Sequence, residues 1–108
     1  ILTFSGKKPK SYAYCSDTEY DESIVRYVNN CDGLYHESTF LEEHKELSIT
    51  TKHSTAKEAA EIAKLSNVKL LILGHYSSRY NNINNFKIEA KSVFEHVVLA
   101  EDNKIIEI

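Results

Sequence analysis

The sequence predicts an α/β layered domain, and three observations predict it. Short apolar runs at 12–15, 34–37 and 68–73 read as strands of one sheet. Helical patterns separate them, the clearest beginning at Thr55. Each strand pattern then gives way to polar residues, first in Ser16-Asp17-Thr18, next in Glu37-Ser38-Thr39 and last in Gly74-His75. At 108 residues, 42% of them hydrophobic, the chain has the length and composition of a single globular domain.

Taken in order, residues 1–4, a turn at 5–9 and residues 11–16 read as a β-hairpin. Tyr12, Ala13, Tyr14 and Cys15 are largely apolar, as in a strand covered on both faces. Asp21 reads as the N-cap of a short helix that buries Ile24, Val25, Tyr27 and Val28. Asn30-Cys31-Asp32-Gly33 is a turn into the strand at 34–37. Residues 40–48 are charged and helical, and 49–52 connect them to His53. Thr55 and Glu58 then form a capping box, and Ala56, Ala59, Ala60, Ile62 and Ala63 give a small-residue face that lets a helix lie close on a sheet. Asn67 stops this helix. Residues 68–73 form a buried strand, and Gly74 lets the backbone bend as His75 emerges. Asparagines at 81–85 mark a loop, and Phe86, Ile88, Ala90, Val93 and Phe94 an amphipathic helix. Residues 97–100, a turn at 101–103 and Ile105-Ile106 close the chain as a hairpin or as two short strands. The first strand of the sheet is expected to lack a neighbour.

Composition removes several function classes. With 13 basic and 16 acidic residues the net charge is −3, so no global field draws in nucleic acid. Cys15 and Cys31 have no zinc-ligand spacing and read as buried free thiols in a reducing cytosol, hence a cytoplasmic location. No apolar stretch reaches the roughly 18–20 residues of a membrane span, and no signal peptide is evident. The chain contains no Met and starts within a strand-like run, so it is expected to be cut from a longer protein.

The polar strand ends carry the chemistry. Asp17 is either a carboxylate aimed at a metal across the strand tips or the cap of the following turn. His75 is a metal ligand or a structural histidine, and His53, beside a helix N-terminus, an acid–base residue or a cap. Glu37 can hold a histidine in one tautomer, or be an ordinary strand-end acid. His36 alternates with it and points to the other face. Arg79 and Tyr80 offer a phosphate fork and a stacking ring, against a surface ion pair and a core tyrosine. His44 and His96 receive no role, and Lys7, Lys8 and Lys10 read as solvated. Asp17 and His75 are only two donors, too few to close a catalytic zinc site.

Four segments occur together, Ser16-Asp17-Thr18, His36-Glu37-Ser38-Thr39-Phe40, His53-Ser54-Thr55 before an alanine-rich helix, and His75-Tyr76-Ser77-Ser78-Arg79-Tyr80. In this order and spacing they resemble the C-terminal part of ribonuclease Z, the tRNA 3′-processing endonuclease family of the metallo-β-lactamase fold. The resemblance runs from about Ser11 to Tyr80. It implies that residues 1–108 are the C-terminal half of an αββα sandwich, without the N-terminal metal-binding half. It also implies that Asp17 bridges two zinc ions and that His75 is the last histidine ligand of the second. By the same resemblance His53 is the catalytic histidine near the scissile phosphate, Glu37 its orienting partner, and Arg79 a phosphate contact. Ser38 stands where the family commonly has alanine, Gly74 where threonine is common, and Cys15-Ser16 where a glycine often precedes the aspartate. The family's His-x-His-x-Asp-His run, its further histidine and its tRNA-gripping arm are absent from these residues. The isolated chain is therefore expected to bind zinc weakly, to cleave no precursor tRNA and to self-associate, as a homodimer, through its exposed sheet edge. The rival expectations are a phosphodiesterase or arylsulfatase-like hydrolase of the same fold, and a non-catalytic α/β interaction domain.

Overall fold

The computed structural model describes residues 3–5, 10–101 and 105–107. Within them the chain runs β1 (Thr3–Ser5), β2 (Tyr12–Cys15), α1 (Val25–Val28), β3 (Gly33–Glu37), α2 (Lys45–Thr51), α3 (Ala56–Ser66), β4 (Leu70–Gly74), α4 (Asn84–Lys91), β5 (Val97–Leu99) and β6 (Ile105–Glu107). One sheet has the order β2-β3-β4-β5, every pair parallel, and β1 pairs with β6, also parallel, in a separate two-stranded sheet. Parallel neighbours need crossovers, and α1 and α3 supply those into β3 and β4, with α4 before β5. The α/β expectation holds.

The expected N-terminal hairpin fails, and the C-terminal segments take the second of their two expected forms, two short strands. β1 does not fold back on β2, and β5 does not fold back on β6. Instead the first and last strands meet each other, Thr3 opposite Ile105 and Phe4 opposite Ile106. The two closing strands exist, but each pairs elsewhere. Residues 6–9, with Lys7 and Lys8, and residues 102–104 lie outside the described residues. Lys10 is exposed, as expected.

The core lies between one face of the large sheet and the helices. Leu34, Leu71, Leu73, Val97 and Leu99 meet Ala56, Ala59, Ala60, Ile62 and Ala63 of α3, and Phe86 and Ala90 of α4. The four alanines of α3 are fully buried. Without branched side chains between them, helix and sheet approach closely, so a larger residue at Ala59 would cost about 1–3 kcal/mol of overpacking. Thr55 Oγ1 accepts the Glu58 N–H while the Glu58 carboxylate accepts the Thr55 N–H, which is the capping box the sequence predicts. Asn67 ends α3 in the left-handed conformation at φ 54°.

Four apolar residues expected to be buried are exposed instead. Tyr12 and Tyr14 are 40% and 60% exposed, so β2 alternates and is not covered on both faces. Tyr27 is 72% exposed, because α1 is a single turn with Val28 as its only buried residue, and its hydroxyl instead accepts from Arg26 Nη2 at 2.8 Å. Ile88 is exposed because α4 buries Phe86 and Ala90, four apart, and Ile88 lies midway between them on the opposite side. The helix at 45–51 also runs through residues read as a connection, and α4 begins within the asparagine segment.

Candidate metal centre at the strand tips

Four loops meet at the C-terminal ends of β2, β3 and β4. Backbone bonds lace them together: Ser38 N–H donates to Gly74 O, Thr39 N–H to Ser54 O and Ser77 N–H to Thr39 O, at 2.8, 3.0 and 2.9 Å. Ser54 Oγ donates to Thr18 O at 2.6 Å. Segments far apart in sequence are thereby fixed against one another before any side-chain chemistry is considered.

At the tips of β2 and β4 the chain turns through left-handed residues, Asp17 at φ 51° and His75 at φ 60°. Aspartate tolerates this conformation better than histidine, and such backbone costs of order 1–3 kcal/mol where it is held. Gly74 itself has no positive φ, so it is not the bend the sequence suggested. Its missing Cβ matters for a different reason. A Cβ there would collide with the ring and hydroxyl of Tyr35, which occupies the space beside it. The adjoining Ser38 hydroxyl, where alanine would be commoner in the resembling family, donates to Gly74 O at 3.1 Å.

The side chains converge. One ligand atom each from Asp17, His53 and His75 lies within 4.8 Å of the others. Asp17 Oδ1 is 3.5 Å from His75 Nε2, and the rings of His53 and His75 are 5.3 Å apart between centroids. Around a tetrahedral zinc, neighbouring ligand atoms are roughly 3.3 Å apart, given bonds of about 2.0–2.1 Å. One carboxylate and two imidazoles at this spacing are a donor set that fits zinc. Sequence reasoning counted two donors; His53 makes a third.

Beneath this triad lies Glu37, fully buried. Its Oε1 accepts from His53 Nδ1–H at 2.6 Å and from Thr18 N–H at 3.1 Å. Its Oε2 accepts from Thr39 Oγ1–H at 2.7 Å and from Thr39 N–H at 3.0 Å. A buried carboxylate with four donors is compensated without any Lys or Arg beside it among the described residues. Thr39 Oγ1 also sits 2.8 Å from His75 Nδ1. Sequence reasoning found Glu37 and missed Thr39, although a residue two positions on along an extended segment faces the same way.

The remaining candidates lie outside the cluster. Arg79 is exposed, with its guanidinium 5.8 Å from the Phe40 ring centroid, and Phe40 in turn stands edge-on to His53 at 6.4 Å. Tyr80 is a core tyrosine rather than a stacking platform. Its hydroxyl accepts from Leu41 N–H at 2.9 Å and meets His44 Nδ1 at 2.7 Å, and its ring stands edge-on to Phe86. His36 points to the helix-covered face, as alternation requires, and burial pushes its pKa down. Cys31 is buried and Cys15 half-buried, both as free thiols. An open cleft of about 610 Å³ adjoins His75, lined by Tyr14, Tyr35, Gly74, Tyr76 and Ile83 among others. Tyr14 and Tyr35 stack there at 4.8 Å.

No protein-family model matches the chain. A ribonuclease Z from Porphyromonas gingivalis is 48% identical over 107 residues, which are 99% of this chain and 35% of that protein. The metallo-β-lactamase fold protein YhfI from Bacillus subtilis superposes with a TM-score of 0.73 at 28% identity, covering 86% of this chain and 35% of that one. The short form of human tRNase Z gives a TM-score of 0.60 at 31% identity, covering 77% of this chain and 27% of its own. The chain spans about a third of the length of the curated relatives it matches. Over nearly its whole length it is similar to ribonuclease Z, and it has part of the metallo-β-lactamase fold.

Proposed function

We propose that these residues are the C-terminal part of a zinc-dependent ribonuclease Z, which removes 3′ trailers from precursor tRNA and leaves a 3′-hydroxyl on the discriminator nucleotide. The observation that carries this reading is the convergence of Asp17, His53 and His75 above the single buried carboxylate of Glu37. Asp17 and His75 are the residues that would hold metal. A bound metal supplies charge that polarises the phosphate and lowers the pKa of a bound water. His53 is oriented through Nδ1–H by Glu37, which leaves Nε2 facing the cluster, and only the doubly protonated ring would have an Nε2–H to hand to the departing 3′ oxygen. Arg79, exposed beside Phe40, would meet a flanking phosphate. We place the protein in the cytoplasm; among the described residues no helix is long and apolar enough to cross a membrane.

Alone, these residues offer one three-donor group among the described residues, short of a two-metal site. The isolated chain should therefore take up zinc weakly and leave precursor tRNA uncut, whereas the longer protein should cut it and lose that cleavage on His53→Ala. Isothermal titration with zinc and a gel assay on both proteins check this. Cleavage by the isolated chain, or full activity of the His53 variant, would refute the assignment. The likeness to YhfI, a metallo-β-lactamase fold protein, supports the fold without a substrate, so a small-substrate phosphodiesterase of the same fold is the second reading. Turnover of bis(p-nitrophenyl) phosphate with no cleavage of precursor tRNA by the longer protein would favour it. The edge strand β2 presents Tyr12 and Tyr14, and self-association of the isolated chain as a homodimer is expected in light scattering at high concentration.

A further inference from the structure

We infer that Thr39 is a positioning residue, which relays the charge of Glu37 to His75 and so fixes the tautomer in which His75 meets a metal. An ionised carboxylate only accepts, so the hydroxyl hydrogen of Thr39 is committed to Glu37 Oε2 at 2.7 Å. The hydroxyl then has lone pairs and no hydrogen left for its other neighbour, His75 Nδ1 at 2.8 Å. That nitrogen must carry the proton and donate. With Nδ1 protonated, neutral His75 presents a bare Nε2, the atom that lies 3.5 Å from Asp17 Oδ1.

The same carboxylate acts directly on the second ring. His53 Nδ1–H donates to Glu37 Oε1 at 2.6 Å, so His53 also turns a bare Nε2 toward the cluster. One buried acid thus sets two imidazoles, one by contact and one through a hydroxyl. Thr39 is suited to the relay because it is itself held: it is nearly buried, its N–H is shared between Glu37 Oε2 and Ser54 O, and its carbonyl accepts from Ser77 N–H. Its χ1 is stiff, as for any β-branched side chain. Serine would keep the hydroxyl and lose some of this rigidity. Valine would keep the shape and lose the relay.

The consequence for metal rests on the function proposed above, but the tautomer does not, and the two can be tested separately. The first measurement is the long-range ¹H–¹⁵N correlation spectrum of the histidine rings in metal-free protein at about pH 8.5, which is about two units above the ordinary imidazole value. His53 and His75 should both show the Nδ1–H pattern. In Thr39→Val, His75 should move to the Nε2–H pattern while His53 stays, and Thr39→Ser should restore the wild-type pattern. Should Thr39→Val fail to fold, Thr39→Ala replaces it in the same comparison. An Nε2–H pattern for His75 in the wild type, or an unchanged pattern in the valine or alanine variant, overturns the relay.

The second measurement is zinc affinity by competition with a chromophoric chelator. Loss of an outer hydrogen-bonding partner typically weakens metal binding about 10–100-fold, and Thr39→Val should fall in that range with Thr39→Ser close to wild type. If the tautomer responds as expected and zinc affinity does not, the relay stands and the metal role given to His75 fails.

Discussion

Strand β3 carries a carboxylate at each end, and the two have opposite surroundings. Asp32, just before the strand, is partly buried but still reached by solvent. It accepts from Ser11 N–H at 3.0 Å and faces Lys69 Nζ at 3.1 Å. Glu37, the last strand residue, is fully buried, has no Lys or Arg beside it among the described residues and accepts four hydrogen bonds from three residues. Asp32 therefore has water to fall back on when a partner is lost, while the donors around Glu37 have none. An acid at a strand end is informative only through its burial. One is a clamp between turns; the other organises a site.

Removing each carboxylate tests this most severely. Glu37→Ala leaves the Thr18 and Thr39 amides, the Thr39 hydroxyl and the His53 ring without their acceptor in a closed space. We expect a loss of at least about 3 kcal/mol in urea unfolding, together with loss of zinc binding. Asp32→Ala should leave the unfolding midpoint close to that of wild type. Equal effects of the two changes would show that burial does not separate them.

Between the two ends sits His36, and pH probes it. Its Nδ1 lies 2.8 Å from the Glu37 carbonyl oxygen, and burial lowers its pKa in the folded protein. The unfolded chain then binds the proton more tightly than the folded one. The stability contributed by a neutral His36 is fully present above the ordinary histidine value of about 6.5 and is lost as pH falls through the lower folded value. Unfolding measured from pH 7.5 down to 5.5 should show this decline, and His36→Leu should flatten it. Glu58 and Glu89, whose carboxyls burial pushes up, act in the opposite sense nearer the carboxylate range. An unchanged slope in the leucine variant would assign the decline to another group.

How much of this the sequence disclosed follows the same divide between local and distant causes. The capping box of Thr55 and Glu58, the alanine face of α3 and the stop at Asn67 are contained within a dozen residues, and the sequence shows them completely. The order Asp17, Glu37, His53, His75 was also legible, because each follows an apolar run or precedes a helix. Pairing was not. Hairpins are the default for strands close in sequence, yet β1 pairs with β6 at the far end of the chain. Thr39 was hidden for a related reason: its importance comes from His75, which is 36 positions away. Gly74 was singled out correctly but for the wrong cause, since the need for a glycine is set by Tyr35 on the adjacent strand.

The smallest effect expected is also the one that most sharply distinguishes the two ends of β3. Asp32 has its pKa lowered first by the Ser11 backbone N–H and then by Lys69. Its contribution to stability is present above the ordinary aspartate value of about 3.9 and is lost as pH falls through the lower folded value. An ion pair with its lysine in solvent is screened by salt, since the Debye length shrinks to about 3 Å at 1 M, whereas the buried bonds of Glu37 are shielded from ions by the protein itself. Lys69→Ala should therefore change stability slightly at low ionic strength and not at all in 1 M NaCl. Glu37→Ala should keep its full deficit in both. If salt erased the Glu37 deficit, that carboxylate would have to be reached by solvent, and the ordered pair of imidazoles above it would lose its foundation.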